Sequence, residues 1–297
     1  MLGQVIRIAP ALWLYAVMAV AQATDLYERA ARLYSQEQFE QAEQTLRQVV
    51  RRNPHSAPAY FLLGATLLRL HRNTEAIAEL RKANQLDPRH RDAAKLLAAE
   101  YVGDRRFAEA IGVLKPLLGQ PPVDEETYLL LIQVYQDRGD AGDAEEALQL
   151  ADQALAKYPG SAELILWKGA ALRDRGRLEE ARKLLQQVLR LDPGSLRARA
   201  WLADVLNREG KHAEAAPLFR AVLEREARDI EARIGLSRAL METGRAEEAL
   251  FELQRAKEMA PENPRIRLAL SQLYSKLGRP EQARKEAEAS RRPAERK

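Results

Sequence analysis

The sequence predicts an all-α protein, an array of about eight helix–turn–helix units, and three residue columns predict it. One column is mostly small: Ala30, Gly64, Ala98, Ile132, Gly169, Ala203, Ser237 and Ser271. A stricter one holds Ala42, Ala76, Ala110, Ala147, Ala181, Ala215, Ala249 and Ala283. The third holds Pro54, Pro88, Pro122, Pro159, Pro193 and Pro261, with Ala227 its one gap. In the first two columns every step is 34 residues except one of 37, and both take the 37 at the same place. A shared period with a shared insertion marks a repeat.

The stretch Ala162–Pro193 shows the unit. An apolar-periodic helix runs to about Asp174, Gly176 breaks it, and a second helix runs from about Leu178 to Leu191 before Asp192-Pro193. Small side chains let the two helices approach closely, and an added methylene there costs about 1–3 kcal/mol. Larger residues fill the seam: Leu63, Leu97, Leu131, Leu202, Leu236 and Leu270 on first helices, Leu46, Leu80, Leu114, Leu185, Phe219 and Leu253 on second helices. Gly139, Gly176, Gly210, Gly244 and Gly278 give the turns backbone freedom. The prolines open the next unit because they cannot continue the previous helix.

The units fall at about 23–56, 57–90, 91–124, 125–161, 162–195, 196–229, 230–263 and 264–290, one array over 24–290. Pro116 predicts a kink or early end in the second helix of unit three. The three extra residues of unit four lie in or near Gln136–Ala144, read as a longer turn or as a protruding contact loop. Unit eight loses apolar character and caps the array, and 291–297 is a charged tail.

The unit's length, its two helices and its small/small/Pro signature resemble the tetratricopeptide repeat family over roughly Ala23 to Ser290. The resemblance implies a right-handed superhelical solenoid whose inner groove binds peptides or helices of other proteins. The family's first-helix Trp is absent from its usual place, and Trp167 and Trp201 sit two residues later. Of the Lys/Asn carboxylate clamp known in the family only Lys95 has a counterpart, so a chaperone-tail receptor is rejected.

The chain has 297 residues, 46% hydrophobic and 30% charged, which fits a helical array in which each unit buries its face on its neighbours. A net charge of +4, interspersed with Glu, is too mild to indicate nucleic acid. At the N-terminus Arg7, an apolar run Ile8–Val20 and Ala21-Gln22-Ala23 read as a secretory signal peptide over 1–23. The run is short for a membrane span, so no stable insertion is expected after cleavage. Periplasmic export is the expectation, and an uncleaved inner-membrane anchor the alternative. No cysteine is present, so neither a disulfide nor a lipidated cysteine is available.

Chemistry is sparse. His55, His71, His90 and His212 lack metal-ligand spacing and read as ordinary surface histidines. The pairs Glu145-Glu146, Glu179-Glu180 and Glu247-Glu248 recur in the first turn of second helices, where the helix dipole favours them, and read as structural. No phosphate loop or nucleophile elbow occurs, and neither a catalytic residue, a metal nor a cofactor is assigned.

The groove remains. The family's geometry turns Phe61, Leu62, Lys95, Leu129, Leu130, Leu166, Trp167 and Trp201 inward, with Leu96, Ala200, Ile234 and Leu268 in the same rows. Trp167 and Trp201 either anchor a partner or thicken the seam between units. Arg199, Arg233 and Arg267, with Arg197 and Arg265 nearby, either form a basic stripe that steers an acidic segment or cover the helix face with their stems. The expected function is a non-enzymatic scaffold of the bacterial cell envelope that binds a protein or peptide segment for a pilus, secretion or polysaccharide-export machine. The alternatives are a self-associating module, hence a homo-oligomer, and, ranked below it, a glycan-binding or enzymatic accessory protein.

Overall fold

The computed structural model describes residues 24–291. The expected signal peptide over 1–23 and the tail beyond Arg291 lie outside the described residues. The chain divides into two compact bodies, Met1–Asp140 and Ala141–Lys297. In the first are α1 (24–35), α2 (Phe39–Arg52), α3 (Ala57–Arg69), α4 (Asn73–Leu86), α5 (Arg91–Gly103), α6 (Phe107–Leu114) and α7 (Glu125–Arg138). The second holds α8 (Asp143–Lys157), α9 (Ala162–Asp174), α10 (Leu178–Leu191), α11 (Leu196–Arg208), α12 (His212–Arg225), α13 (Ile230–Glu242), α14 (Ala246–Met259), α15 (Pro264–Lys276) and α16 (Pro280–Ser290). No strand occurs among the described residues.

Within each body every helix from α2 onward packs on the next, and first helices also touch across repeats, α5 on α7 and α11 on α13 on α15. The alanine column lies in these seams: Ala42, Ala76, Ala110, Ala147, Ala181, Ala215 and Ala249 are 0% exposed. At Gly64 a Cβ would stand 2.6 Å from Leu80 Cγ, so this close approach admits no larger residue without a shift. Gly235 is tighter still, because a Cβ there would enter the Phe219 ring.

The two helix classes start differently. First helices carry side-chain caps: Ser56, His90, Asp124, Ser161, Ser195, Asp229 and Asn263 each accept from a backbone N–H of the first turn. Second helices have no such cap. Instead Arg72, Arg106, Arg177 and Arg245 at the cap position each bind a glutamate three residues on, Glu75, Glu109, Glu180 and Glu248. The hydrogen bond from arginine holds each of these carboxyls below its ordinary range, at the end of the helix where negative charge is favoured. Glu180 and Glu248, members of the recurrent pairs, are thus each held by an arginine in the first turn of a second helix.

The turn between first and second helices is left-handed in every repeat. Gly139, Gly176, Gly210, Gly244 and Gly278 have φ of 68–79°, and Glu37, His71 and Arg105 occupy the same position at 58–59°. Pro116 ends α6 after eight residues, and the chain continues as a 3-10 turn over Lys115–Gly119. The insertion in repeat four is shared between a turn one residue longer and the two helices, and makes no protruding loop. In repeat five the helices have 13 and 14 residues, whereas α7 and α8 have 14 and 15. Only one extra residue remains for the turn, which Gly139 and Gly142 carry with positive φ.

Candidate partner-binding groove

In the second body α9, α11 and α13, with Arg265 of α15, line a groove of about 910 Å³. Leu166, Ala200, Trp201, Ile234 and Gly235 form its apolar part. Its edges are charged in alternation. Position for position along the repeats stand Glu163, Arg197, Glu231 and Arg265 in the first turns. Arg197 Nη1 lies 3.5 Å from Glu163 Oε1, and Arg265 pairs with Glu231. In the last turns of the same helices, of which Arg208 alone lines the groove, stand Asp174, Arg208, Glu242 and Lys276. Arg208 Nε lies 3.0 Å from Asp204 Oδ2 on its own helix, and Lys276 Nζ 2.7 Å from Glu242 Oε1. Such exposed pairs contribute little stability, about 0–1 kcal/mol each, but opposite signs on successive repeats set their register.

The two tryptophans divide the roles expected of both. Trp201 is half-buried and lines the groove. Trp167 is 8% exposed and packs edge-on against Trp201 at 5.3 Å between ring centres, so it thickens the seam and is not an exposed anchor. Arginines flank the pair, Arg197 over Trp167 at 5.5 Å and Arg173 over Trp201 at 5.2 Å. Leu166 is also buried, although it reaches the groove wall.

The basic stripe expected at Arg199, Arg233 and Arg267 does not line the groove. Two residues along a helix turn a side chain by about 200°, so Arg199 and Arg233 face away when Arg197 and Glu231 face in. Arg199 Nη2 donates to Pro193 O at 2.6 Å, and Arg233 Nη2 donates to Ala227 O at 2.7 Å. Arg233 is 6% exposed and forms an ion pair with Glu252. Arg267 pairs with Glu262 at 3.0 Å and approaches Glu286 at 3.6 Å. The arginines that do line the groove are Arg173, Arg197, Arg208, Arg238 and Arg265.

In the first body Lys95 Nζ lies 3.0 Å from Asp124 Oδ1 and 2.5 Å from Glu126 Oε2, so it holds a neighbouring repeat and not a partner's carboxylate. Phe61 stacks on His90 at 4.6 Å, and Leu62 packs on the core around Leu63 and Leu67. Leu129 and Leu130 are half-buried on α7. Two histidines have structural roles that spacing did not reveal. His90 Nδ1 accepts from Ala93 N and caps α5. His212 Nδ1 lies 3.1 Å from Asn207 Oδ1, while Asn207, buried at the groove, donates to Gly235 O at 2.8 Å. Among the described residues no group of three or more His, Cys, Asp or Glu is placed to hold a metal ion, and no helix is long and apolar enough to cross a membrane.

Comparison with known families decides the class. A family model described as Tetratricopeptide repeat matches residues 33–100, 140–204, 206–265 and 249–294, and a second of the same description matches 95–162. The chain belongs to the tetratricopeptide repeat family. Tetratricopeptide repeats are protein-interaction scaffolds, and that coarse function follows from the membership. No match was found among curated proteins. Among solved structures, the MamA protein is 21% identical over 57% of this chain and 90% of its own, with a TM-score of 0.51. A tetratricopeptide repeat protein from Parabacteroides merdae is 16% identical over 92% of this chain and 94% of its own, with a TM-score of 0.48. MamA from Desulfovibrio magneticus is 21% identical over 56% of this chain and 98% of its own, with a TM-score of 0.48. At these identities the likeness is one of fold.

Proposed function

We propose that this tetratricopeptide repeat protein is an exported scaffold that holds a segment of a partner protein in the groove of its second body. The observation that carries the reading is Trp201, a large aromatic left half-buried in a 910 Å³ groove beside Ile234. Aromatic side chains in such positions are favoured binding anchors. The signal-like start supports export to the bacterial envelope, where the scaffold would serve an assembly machine.

A photo-crosslinking residue at Ile234 should capture a protein in the cell, one at the exposed Lys183 on α10 should not, and Trp201→Ala should abolish capture at Ile234. Equal capture at both positions would refute the groove. Mass spectrometry of the chain recovered from the envelope should find an N-terminus near Thr24; an intact 1–23 removes the cleaved-signal reading. Self-association is favoured by one observation, Leu268, 51% exposed in the row of Leu166, Ala200 and Ile234. Sedimentation at micromolar concentrations gives oligomers if that row is an interface between copies, and Leu268→Ser then yields monomers.

A further inference from the structure

We infer that the groove of the second body takes a bipolar peptide segment, with one carboxylate at Arg238, an apolar centre over Trp201 and Ile234, and one cation at Glu226. The inference deepens the reading above and rests on it. Most charges of the groove are engaged with one another. Arg197 pairs with Glu163, Arg265 with Glu231, Arg208 with Asp204 and Arg173 with Asp174. Asp229 caps α13 by accepting from Ala232 N at 3.0 Å.

Two charges are left over. Arg238 is exposed, and the carboxylate it acts on, Glu242 one turn along α13, is held by Lys276 at 2.7 Å. Glu226, exposed at the end of α12, makes no ion pair among the described residues; only its backbone is engaged, donating to Val222 O. Both line the groove, at different ends of the segment from the end of α12 to the middle of α13. Glu226 lies at the turn that opens α13, and Arg238 lies about 13 Å along the axis from the cap residue Asp229, at 1.5 Å per residue. Ile234 sits between them on α13, and Trp201 occupies the corresponding part of α11.

This arrangement selects its occupant by charge. A purely apolar segment would strip water from both Arg238 and Glu226 and return nothing. An acidic segment meets Glu226, a basic one meets Arg238, and like charges brought together are unfavourable. A segment with an acid at one end and a base at the other satisfies both and is oriented by them. The 13 Å from the cap of α13 to Arg238 corresponds to about nine residues of helix or about four of extended chain, and Glu226 lies three residues before that cap.

Selection of random displayed peptides on the purified chain tests this. The native chain should enrich peptides in which an acid and a base flank apolar residues in one fixed order. The double reversal Arg238→Glu/Glu226→Lys should enrich the opposite order. Arg238→Glu alone should weaken the native-selected peptides about tenfold at low salt, the scale of one charge pair. Both positions are exposed, so circular dichroism should be unchanged. If peptides need Trp201 but show no charge order, or the same order on both chains, the bipolar inference fails and the groove stands. If binding ignores Trp201→Ala, or no peptide is enriched, the groove reading fails with it.

Discussion

The two bodies use one repeat but place its local costs differently. In the first body the left-handed turn falls on Glu37, His71 and Arg105, residues with a Cβ, before Gly139 closes the series. The second body has glycine at every such turn, Gly176, Gly210, Gly244 and Gly278. Its cost lies inside instead, where Arg233 and Glu252 form a buried ion pair with Arg233 Nε left without a partner. The hairpin geometry is therefore the invariant. A turn that must be left-handed is made by any residue when the packing on both sides demands it, and a seam accepts charge when both signs arrive together.

The ion pair is the sharpest place to break that contrast. Following the pair back through the repeats gives Ile165 with Leu184, Arg199 with Leu218, Arg233 with Glu252 and Arg267 with Glu286. Two positions that are apolar in repeat five carry opposite charges in repeats seven and eight. Removing one partner of a buried pair costs about 3–5 kcal/mol, whereas replacing both with well-packed apolar residues is near neutral or stabilising. Arg233→Leu should thus lower stability severely, and Arg233→Leu/Glu252→Leu should recover it by restoring what repeat five has. Urea unfolding followed by tryptophan fluorescence reads this locally, since Trp167 and Trp201 both lie in the second body. If the double variant is as unstable as the single one, the pair is not a substitute for an apolar contact.

Gly235 gives the next largest effect. Phe219 of α12 lies where a Cβ would point, and an aromatic ring held between helices has little room to yield. Gly235→Ala should cost about 1–3 kcal/mol as overpacking, and Gly235→Ala/Phe219→Leu should regain most of it. Thermal unfolding of the three chains measures the difference. Equal loss in both variants would mean that the Phe219 ring is not what the added methyl group meets.

The turns test the comparison directly. A residue with a Cβ in the left-handed region costs about 1–2 kcal/mol, offset in part by the entropy glycine loses on folding. His71→Gly and Arg105→Gly should each stabilise the first body by about 0.5–1 kcal/mol, and Gly176→Ala and Gly210→Ala should each destabilise the second by about 1 kcal/mol. Hydrogen exchange at the flanking helices separates the bodies. A His71→Gly chain that loses stability would mean that the imidazole, not the backbone, matters at that turn.

These residues also mark what the sequence reveals. Backbone approach leaves a strict trace, so the alanine and small-residue columns locate the seams, and Pro116 locates the end of α6. Left-handed turns leave a trace only when glycine makes them, and Glu37, His71 and Arg105 carry none. In the groove, Trp201, Leu166 and Ile234 were expected from the geometry that the family resemblance implies, applied along the period. The arginines were not, because a choice between Arg197 and Arg199 is a choice of helix face, and periodicity places both in columns. Which of the two tryptophans stays accessible was not legible either, because both occupy the same repeat position and only neighbouring side chains distinguish them.

The smallest effect concerns pH and the first body. Asp124 caps α7, accepting from Thr127 N at 2.8 Å and from its hydroxyl at 2.9 Å, with Lys95 at 3.0 Å and Arg91 at 3.2 Å. Burial raises its pKa, but the hydrogen bonds from Lys95 and Thr127 outweigh burial and bring it from its ordinary 3.8 to about 2. A carboxyl with a depressed folded-state pKa contributes stability that is complete above the unfolded value and fades as pH falls through the folded one. The difference in stability between the native chain and Asp124→Asn should therefore be constant above about pH 5, shrink below about pH 4 and be nearly gone at about pH 2. Because Asp124 is partly exposed, the difference is small, and many other carboxyls titrate in the same range. Only the comparison of the two chains isolates it, by unfolding midpoints at matched pH. A difference that persists unchanged at pH 2 would mean that Asp124 acts through the shape of its cap and not through its charge.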